Sequence, residues 1–206
     1  MIRTIIITGG LGSGKTTAAA HFAAKGAAIV SADELAHEVL APGSMTLSEV
    51  RAAFGDFVIA PDGSLDRQEL AAVAFASDEA TQRLNAIVHP AVYLATLARL
   101  RDLGRLHPEP PVVILDVPLL DEAPQLTELA DLVVAIQAPQ GDRLARAVER
   151  GMDGDDARAR IARQATDDRR AALADVVIDN TGSLADFERA LDEFWSHHVD
   201  VPTDAG

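Results

Sequence analysis

The chain has 206 residues, 48% of them apolar and 24% charged, with 14 Gly, 10 Pro and no Cys. That length suffices for one domain with modest insertions, and the missing Cys excludes disulfide scaffolds, thiol nucleophiles, iron–sulfur clusters and thiolate zinc sites. A net charge of −14 argues against a general nucleic-acid binder, and no run of about 18 apolar residues offers a membrane span.

In chain order, Thr4-Ile5-Ile6-Ile7-Thr8 reads as a buried parallel strand that begins almost at Met1, which leaves no room for a signal peptide and suggests a cytoplasmic location. Gly9-Gly10-Leu11-Gly12-Ser13-Gly14-Lys15-Thr16 follows and fits G-x-x-x-x-G-K-[ST] in full. A helix from Lys15 to Lys25, closed by Gly26, is expected next, and strand followed by helix is the setting that pattern requires. Glycines let backbone N–H groups turn around phosphate oxygens, Lys15 would bridge the β- and γ-phosphates, and the Thr16 hydroxyl would hold Mg²⁺. A dinucleotide fingerprint is the nearest competitor, but Lys15 or Thr17 stands where its third Gly belongs.

Residues 27–30 read as a second strand, followed by Asp33 at the carboxyl edge of the predicted sheet. A carboxylate there can take a proton from an acceptor hydroxyl, or simply cap a helix over 34–40. The next eighty residues hold no comparable strand and read as a helical insertion: 34–40, 47–54, 67–75 and 79–105 look helical, with a turn at Pro61-Asp62-Gly63 and a Pro at 90. His89-Pro90 lies within it, either as a packed imidazole or as one held toward an acceptor. Strands over 112–115, 132–136 and 176–178 complete five, and Asp116 after the third is placed to reach a metal through water.

Between the last two strands, residues 142–172 read as a second helical excursion. Residues 143–170 carry eight Arg and six acids in this acidic chain, which suits either a small anion or an ordinary solvated face. Arg143, Arg146 and Arg150 share one side of a helix, from which one or two would offset charge during phosphoryl transfer. Asn180 ends the last strand and either meets an adenine edge or caps a turn before Gly182. A helix over 184–197, with Leu184, Phe187, Leu191 and Phe194 on one face, closes the fold.

These segments together resemble the dephospho-coenzyme A kinase family, over about residues 3 to 196. The resemblance rests on Thr8 to Thr16, Ala32-Asp33, Pro42-Gly43, Phe54-Gly55, Asp62 to Arg67, His89-Pro90, Asp116-Val117-Pro118-Leu119-Leu120, Arg158 to Gln164 and Ala174 to Asn180. It implies a P-loop nucleotide-kinase-like three-layer α/β/α fold with a five-stranded parallel sheet. The implied core is 1–32, 112–141 and 172–200, with a helical substrate-binding insertion at 33–111, an Arg-rich lid at 142–171 and a disordered tail at 201–206.

The implied reaction is ATP-dependent phosphorylation of the ribose 3′-hydroxyl of dephospho-coenzyme A, with Mg²⁺, by a monomer or weak homo-oligomer. Asp33 is the implied base, and Lys15, Arg143 and Arg146 act on the transferring phosphoryl. Gly10, Gly12, Ser13, Gly14, Lys15, Thr16, Thr17, Arg150 and Asn180 would contact the nucleotide, and Arg67, His89, Leu119 and Leu120 the acceptor. Thr16 directly and Asp116 through water would serve the metal. The chain departs from the family in having Ser31 where an Asp often stands two positions before the base, and Thr16 for the commoner Ser. Another small-molecule P-loop kinase and a non-catalytic nucleotide switch remain open on the residues alone.

Overall fold

The structure, a computed structural model, describes residues 2–200; the expected disordered tail at 201–206 lies outside them. The chain divides into two compact units, Met1–Ser31 with Leu100–Gly206, and Ala32–Arg99. Among the described residues no helix is long and apolar enough to cross a membrane.

In the first unit the sheet comprises β1 (Thr4–Thr8), β2 (Ala28–Ser31), β3 (Val113–Asp116), β4 (Leu132–Gln137) and β5 (Val176–Asp179), all parallel, in the order β2-β3-β1-β4-β5. β1 is central and buried throughout, which is why its five residues show no polar alternation. Two helices bring an apolar stripe to one face of this sheet: α1 (Lys15–Ala24) with Ala18, Ala19 and Phe22, and, after β5, the C-terminal helix Leu184–His198 with Phe187, Leu191, Phe194 and Trp195. They cover Ile5, Ile7, Ile114, Val134, Ile136 and Ile178. The two-residue period puts Ile6, Leu115, Val133 and Ala135 on the opposite face, where they too are buried. The expected α/β sheet with helical layers is therefore present.

The second unit is helical: α2 (Ala32–Val39), α3 (Met45–Phe54), α4 (Arg67–Ala74) and α5 (Asp78–Leu103), around a small core of Val50, Val58, Leu70 and Ala74. Ser44 and Asp66 cap α3 and α4 by accepting from backbone N–H groups two or three residues on. Around Pro61-Asp62-Gly63 the expected turn closes a bridge between Ile59 and Leu65. α5 runs unbroken through Pro90. The carbonyl that Pro90 cannot satisfy belongs to Ala86, and both residues are exposed, so water takes the place of the missing donor.

The Arg-rich excursion, read as one helical stretch, is three helices: α6 (Gln140–Glu149), α7 (Gly154–Arg163) and α8 (Asp167–Ala171). Gly151 at φ 91° ends the first, Asp153 caps the second and Thr166 caps the third. The C-terminal helix over 184–198, hereafter α9, starts at a Ser183–Asp186 capping box.

Two aspartates immediately ahead of strands fix the sheet register. Asp131, just before β4, accepts from the Thr4 N–H at 2.8 Å while its own N–H donates to the Thr4 carbonyl; Asp175, before β5, does the same to Val133. A carboxylate that accepts a backbone N–H contributes more than a neutral pair, about 1.5–3 kcal/mol. Asp131→Ala is therefore expected to lower the unfolding free energy by an amount in that range, seen as a lower urea midpoint at an unchanged slope, with Asp131→Asn recovering most of it, as measured by chemical denaturation.

Candidate functional site

The loop between β1 and α1 emerges at the carboxyl end of the central strand, with β3 and β4 on either side, which is where open α/β sheets bind ligands. Three consecutive carbonyls of this loop are paired with side chains from far along the chain. Leu11 O accepts from Arg143 Nε at 3.0 Å, Gly12 O from Arg146 Nη1 at 3.4 Å, and Ser13 O from Asn180 Nδ2 at 2.9 Å. Carbonyls drawn outward leave the opposite side of the loop to N–H groups, and α1 begins directly behind it, adding the positive end of its dipole. Gly12 has φ 75°, and a Cβ there would lie 2.3 Å from the Arg143 carbonyl oxygen, so the turn and the close approach both require glycine.

Lys15 Nζ stands 3.9 Å from Asp116 Oδ1, within ion-pair range. Asp116 ends β3 beside Ile7 of β1 and Ser31 of β2, where the sequence places it. The Ser13 hydroxyl is buried with no hydrogen-bond partner among the described residues, while Thr16 is exposed and Thr17 partly buried. A buried orphan hydroxyl, an ammonium and a ring of backbone donors fit a polyphosphate. Thr16 and Asp116 are hard oxygen donors of the type Mg²⁺ takes.

The three arginines of α6 and its C-terminus, of which one or two were expected at the phosphoryl, differ in depth and in partners. Arg143 is 4% exposed, and its guanidinium donates to Leu11 O, Asp167 Oδ1 and Gln164 Oε1. Burial lowers its pKa; the Asp167 carboxylate opposes that, and Arg170 adds to it. So engaged, it supports the loop rather than lies over a phosphoryl. Arg146, half-buried, makes longer bonds to Gly12 O and to the Asn180 carbonyl and amide oxygens at 3.2 and 3.3 Å. The Arg150 side chain is exposed with no hydrogen bond or ion pair to the described residues; the backbone N–H donates to Arg146 O at 3.3 Å.

Asn180, expected at an adenine edge or as a cap before Gly182, has its side-chain amide on the loop. It is 7% exposed, its amide holds Ser13 and Arg146, and its backbone N–H donates to Gln137 O at 2.7 Å. Leu119 and Leu120, expected side by side against an acceptor, are separated: Leu119 is 38% exposed and Leu120 1%, in the core. Residues whose part the sequence did not reveal are Gln164 and Asp167, which hold Arg143 from the end of α7 and the start of α8. The signal was present in Gln164 directly after the arginine run, but nothing in the spacing said what it would touch.

In the second unit Asp33 lies in the exposed first turn of α2, two residues beyond the end of β2. Arg67 is exposed at the first position of α4, where Asp66, not Arg67, is the cap. His89 sits half-buried on α5, and burial pushes its pKa below the ordinary 6.5.

A G-x-x-x-x-G-K-T loop at the switch point of a five-stranded parallel sheet defines a P-loop nucleotide-binding protein. The family model described as dephospho-CoA kinase matches residues 3–186. Dephospho-CoA kinase from Streptomyces avermitilis is 46% identical over 194 residues, 94% of this chain and 92% of the relative. That from Leifsonia xyli is 44% identical over 196 residues, 95% and 98% of the two chains. A crystal structure from Thermus thermophilus matches with a TM-score of 0.78 at 32% identity, over 96% and 98%. The chain belongs to the dephospho-CoA kinase family.

Because His89 holds a lowered pKa, the unfolded chain binds its proton first as pH falls. The stability that neutral His89 allows is present above about pH 6.5 and is lost as pH drops toward the folded value. Urea midpoints between pH 7.5 and 5.5 are expected to fall less steeply in His89→Gln than in the unmodified chain, provided the variant's far-ultraviolet dichroism is unchanged.

Proposed function

We propose that this chain transfers the γ-phosphoryl of ATP to the ribose 3′-hydroxyl of dephospho-CoA, giving CoA and ADP, the last step of coenzyme A biosynthesis. The observation that carries the reading is the loop with its Leu11, Gly12 and Ser13 carbonyls tied outward, in a chain of this family. It supports a nucleotide whose β- and γ-phosphates lie against the N–H groups of Gly12 to Thr17 and against the Lys15 ammonium, with Gly10 at the base of the loop.

Arg146 and Arg150 supply cationic charge to the transferring phosphoryl, and Asn180 serves the nucleotide by holding Ser13. Thr16, and Asp116 through water, would hold Mg²⁺, which would supply positive charge against the phosphates. Asp33 takes the proton of the acceptor hydroxyl, and Arg67, His89 and Leu119 contact the acceptor, with Leu120 anchoring Leu119 from the core. The insertion at 33–111 receives dephospho-CoA, and the segment 142–171, with glycines at 151 and 154, serves as a lid that excludes water from the reacting groups. The protein acts in the cytoplasm as a monomer or weak homo-oligomer.

Mass spectrometry of the products formed from Mg-ATP and dephospho-CoA tests this. One phosphoryl group is expected on the substrate, with turnover lower by about 10²–10⁴ in both Asp33→Asn and Lys15→Ala. Wild-type turnover in Asp33→Asn removes the base assignment, and ADP without phosphorylated product points to a different acceptor.

A further inference from the structure

The backbone of Leu11 is held on both sides, through its N–H and its C=O. Its N–H donates to Gln164 Oε1 at 2.8 Å, and its carbonyl accepts from Arg143 Nε at 3.0 Å. The two holders are joined, since Arg143 Nη2 donates to the same Gln164 oxygen at 3.1 Å. Behind them Asp167 Oδ1 accepts from Arg143 Nη1 at 3.2 Å and from Arg170 Nη1 at 2.8 Å, and Gln137 Nε2 at the end of β4 donates to the Asp167 carbonyl at 2.9 Å. The contacts therefore run from the sheet to the tip of the loop through the ends of three helices.

The Leu11 N–H lies in the Gly10–Leu11 peptide and its C=O in the Leu11–Gly12 peptide, so holding both orients two consecutive planes, the second of which carries the Gly12 N–H. Leu11 directly precedes the residues whose N–H groups would meet phosphate, so a clip on its two sides orients the Gly12 donor without occupying it, while the Ser13 N–H closes the turn onto Gly10 O at 3.1 Å. Phosphate chemistry itself calls for no glutamine at that place: Gln164 is uncharged, off the loop, at the C-terminus of α7. The guanidinium also lies close against the loop backbone. A Cβ on Gly10 would come within 2.0 Å of Arg143 Nη2, so any side chain there would push the guanidinium off its three acceptors. The P-loop pattern leaves this second position unspecified; here the clip requires glycine.

We propose that Gln164, acting with Arg143, is a positioning residue for the nucleotide, clamping the backbone of Leu11 so that the loop is preorganised for phosphate. The proposal rests on the loop being the ATP site. Removing the Gln164 oxygen leaves the Leu11 N–H and one Arg143 N–H without their acceptor. A preorganised loop binds more tightly because its ordering cost is already met, so the loss falls on ATP and not on the acceptor.

Steady-state kinetics of the full chain with each substrate varied, beside thermal melts, test the assignment. Gln164→Ala is expected to raise KM for ATP about three- to tenfold, the size of one net hydrogen bond, with KM for dephospho-CoA within about twofold and the melting midpoint lower by about 2–4 °C. Gln164→Glu keeps an acceptor oxygen at the same reach and returns KM for ATP to within about threefold of the unmodified chain. Gly10→Ala reproduces the ATP-specific loss, and its effect is not additive with that of Gln164→Ala. Arg143→Lys gives no rescue, because one ammonium does not serve three acceptors in a fork; as a buried residue it risks the fold, which is why the Gln164 pair carries the test. An unchanged KM for ATP in Gln164→Ala, equal losses for both substrates, or no recovery in Gln164→Glu each overturns the proposal while the kinase reading stands. A wild-type chain without ATP-dependent transfer overturns both.

Discussion

A phosphate loop is a stretch of backbone whose N–H groups must face inward, and peptide geometry then turns the carbonyls outward, where they need partners of their own. In this chain the partners are three side chains distant in sequence, Arg143, Arg146 and Asn180, which reach Leu11, Gly12 and Ser13 across separations of 132, 134 and 167 residues. The eight-residue motif is therefore incomplete as a local structure. Its shape exists only when β4, α6 and β5 are in place, so the binding site and the global fold of the first unit form together.

The sheet is arranged to deliver those partners. With β1 at the centre, β3 and β4 flank it, and β5 lies one strand further out, so the ends of β3 and β5 and the start of α6 can converge on the loop that follows Thr8. Register decides whether they arrive at the right height. A shift of one residue would turn Asp116 away from Lys15 and Asn180 away from Ser13, because side chains alternate along a strand. The clips from Asp131 to Thr4 and from Asp175 to Val133 set that height at the opposite end of the same strands. Carboxylates far from the loop thus govern its geometry through the ladders of the sheet.

Much of this was legible in the residues and some was not, for physical reasons. Five apolar strands, the loop and the aspartate ending β3 follow from short-range rules: β-branched runs, glycine at turns and a carboxylate directly after a strand; the one N-cap considered, Asp33, lies instead inside the first turn of α2. The part played by the arginines did not follow. Spacing of i, i+3 and i+7 puts Arg143, Arg146 and Arg150 near one side of a helix, but depth depends on how α6 is rolled against the loop, and that is set by Gln164 and Asp167, twenty or more residues on. Asn180 was placed correctly at the end of β5, yet what an amide bonds to is a property of three dimensions. Leu119-Leu120 shows the same limit: adjacent residues in a turn point different ways, and only the tertiary packing says which is core. Pro90 did not hide α5: the stretch around it reads as helical, and a helix tolerates proline where the freed carbonyl lies on an exposed stretch.

The depth of each arginine also sorts what it can contribute. A buried guanidinium with three protein acceptors, as at Arg143, is rigid and its charge is balanced by Asp167; it can hold a peptide plane but offers no charge to a ligand. Arg150 has the opposite properties, exposed and free of ion pairs among the described residues, so its charge is available to an incoming anion. Arg146 lies between, on bonds of 3.2 to 3.4 Å that are weaker than those of Arg143 and can be exchanged for phosphate oxygens. In a chain whose net charge is −14, attraction of a polyanion depends on local cations that remain unneutralised, and the gradient from Arg143 to Arg150 keeps rigidity and available charge in separate side chains of one helix.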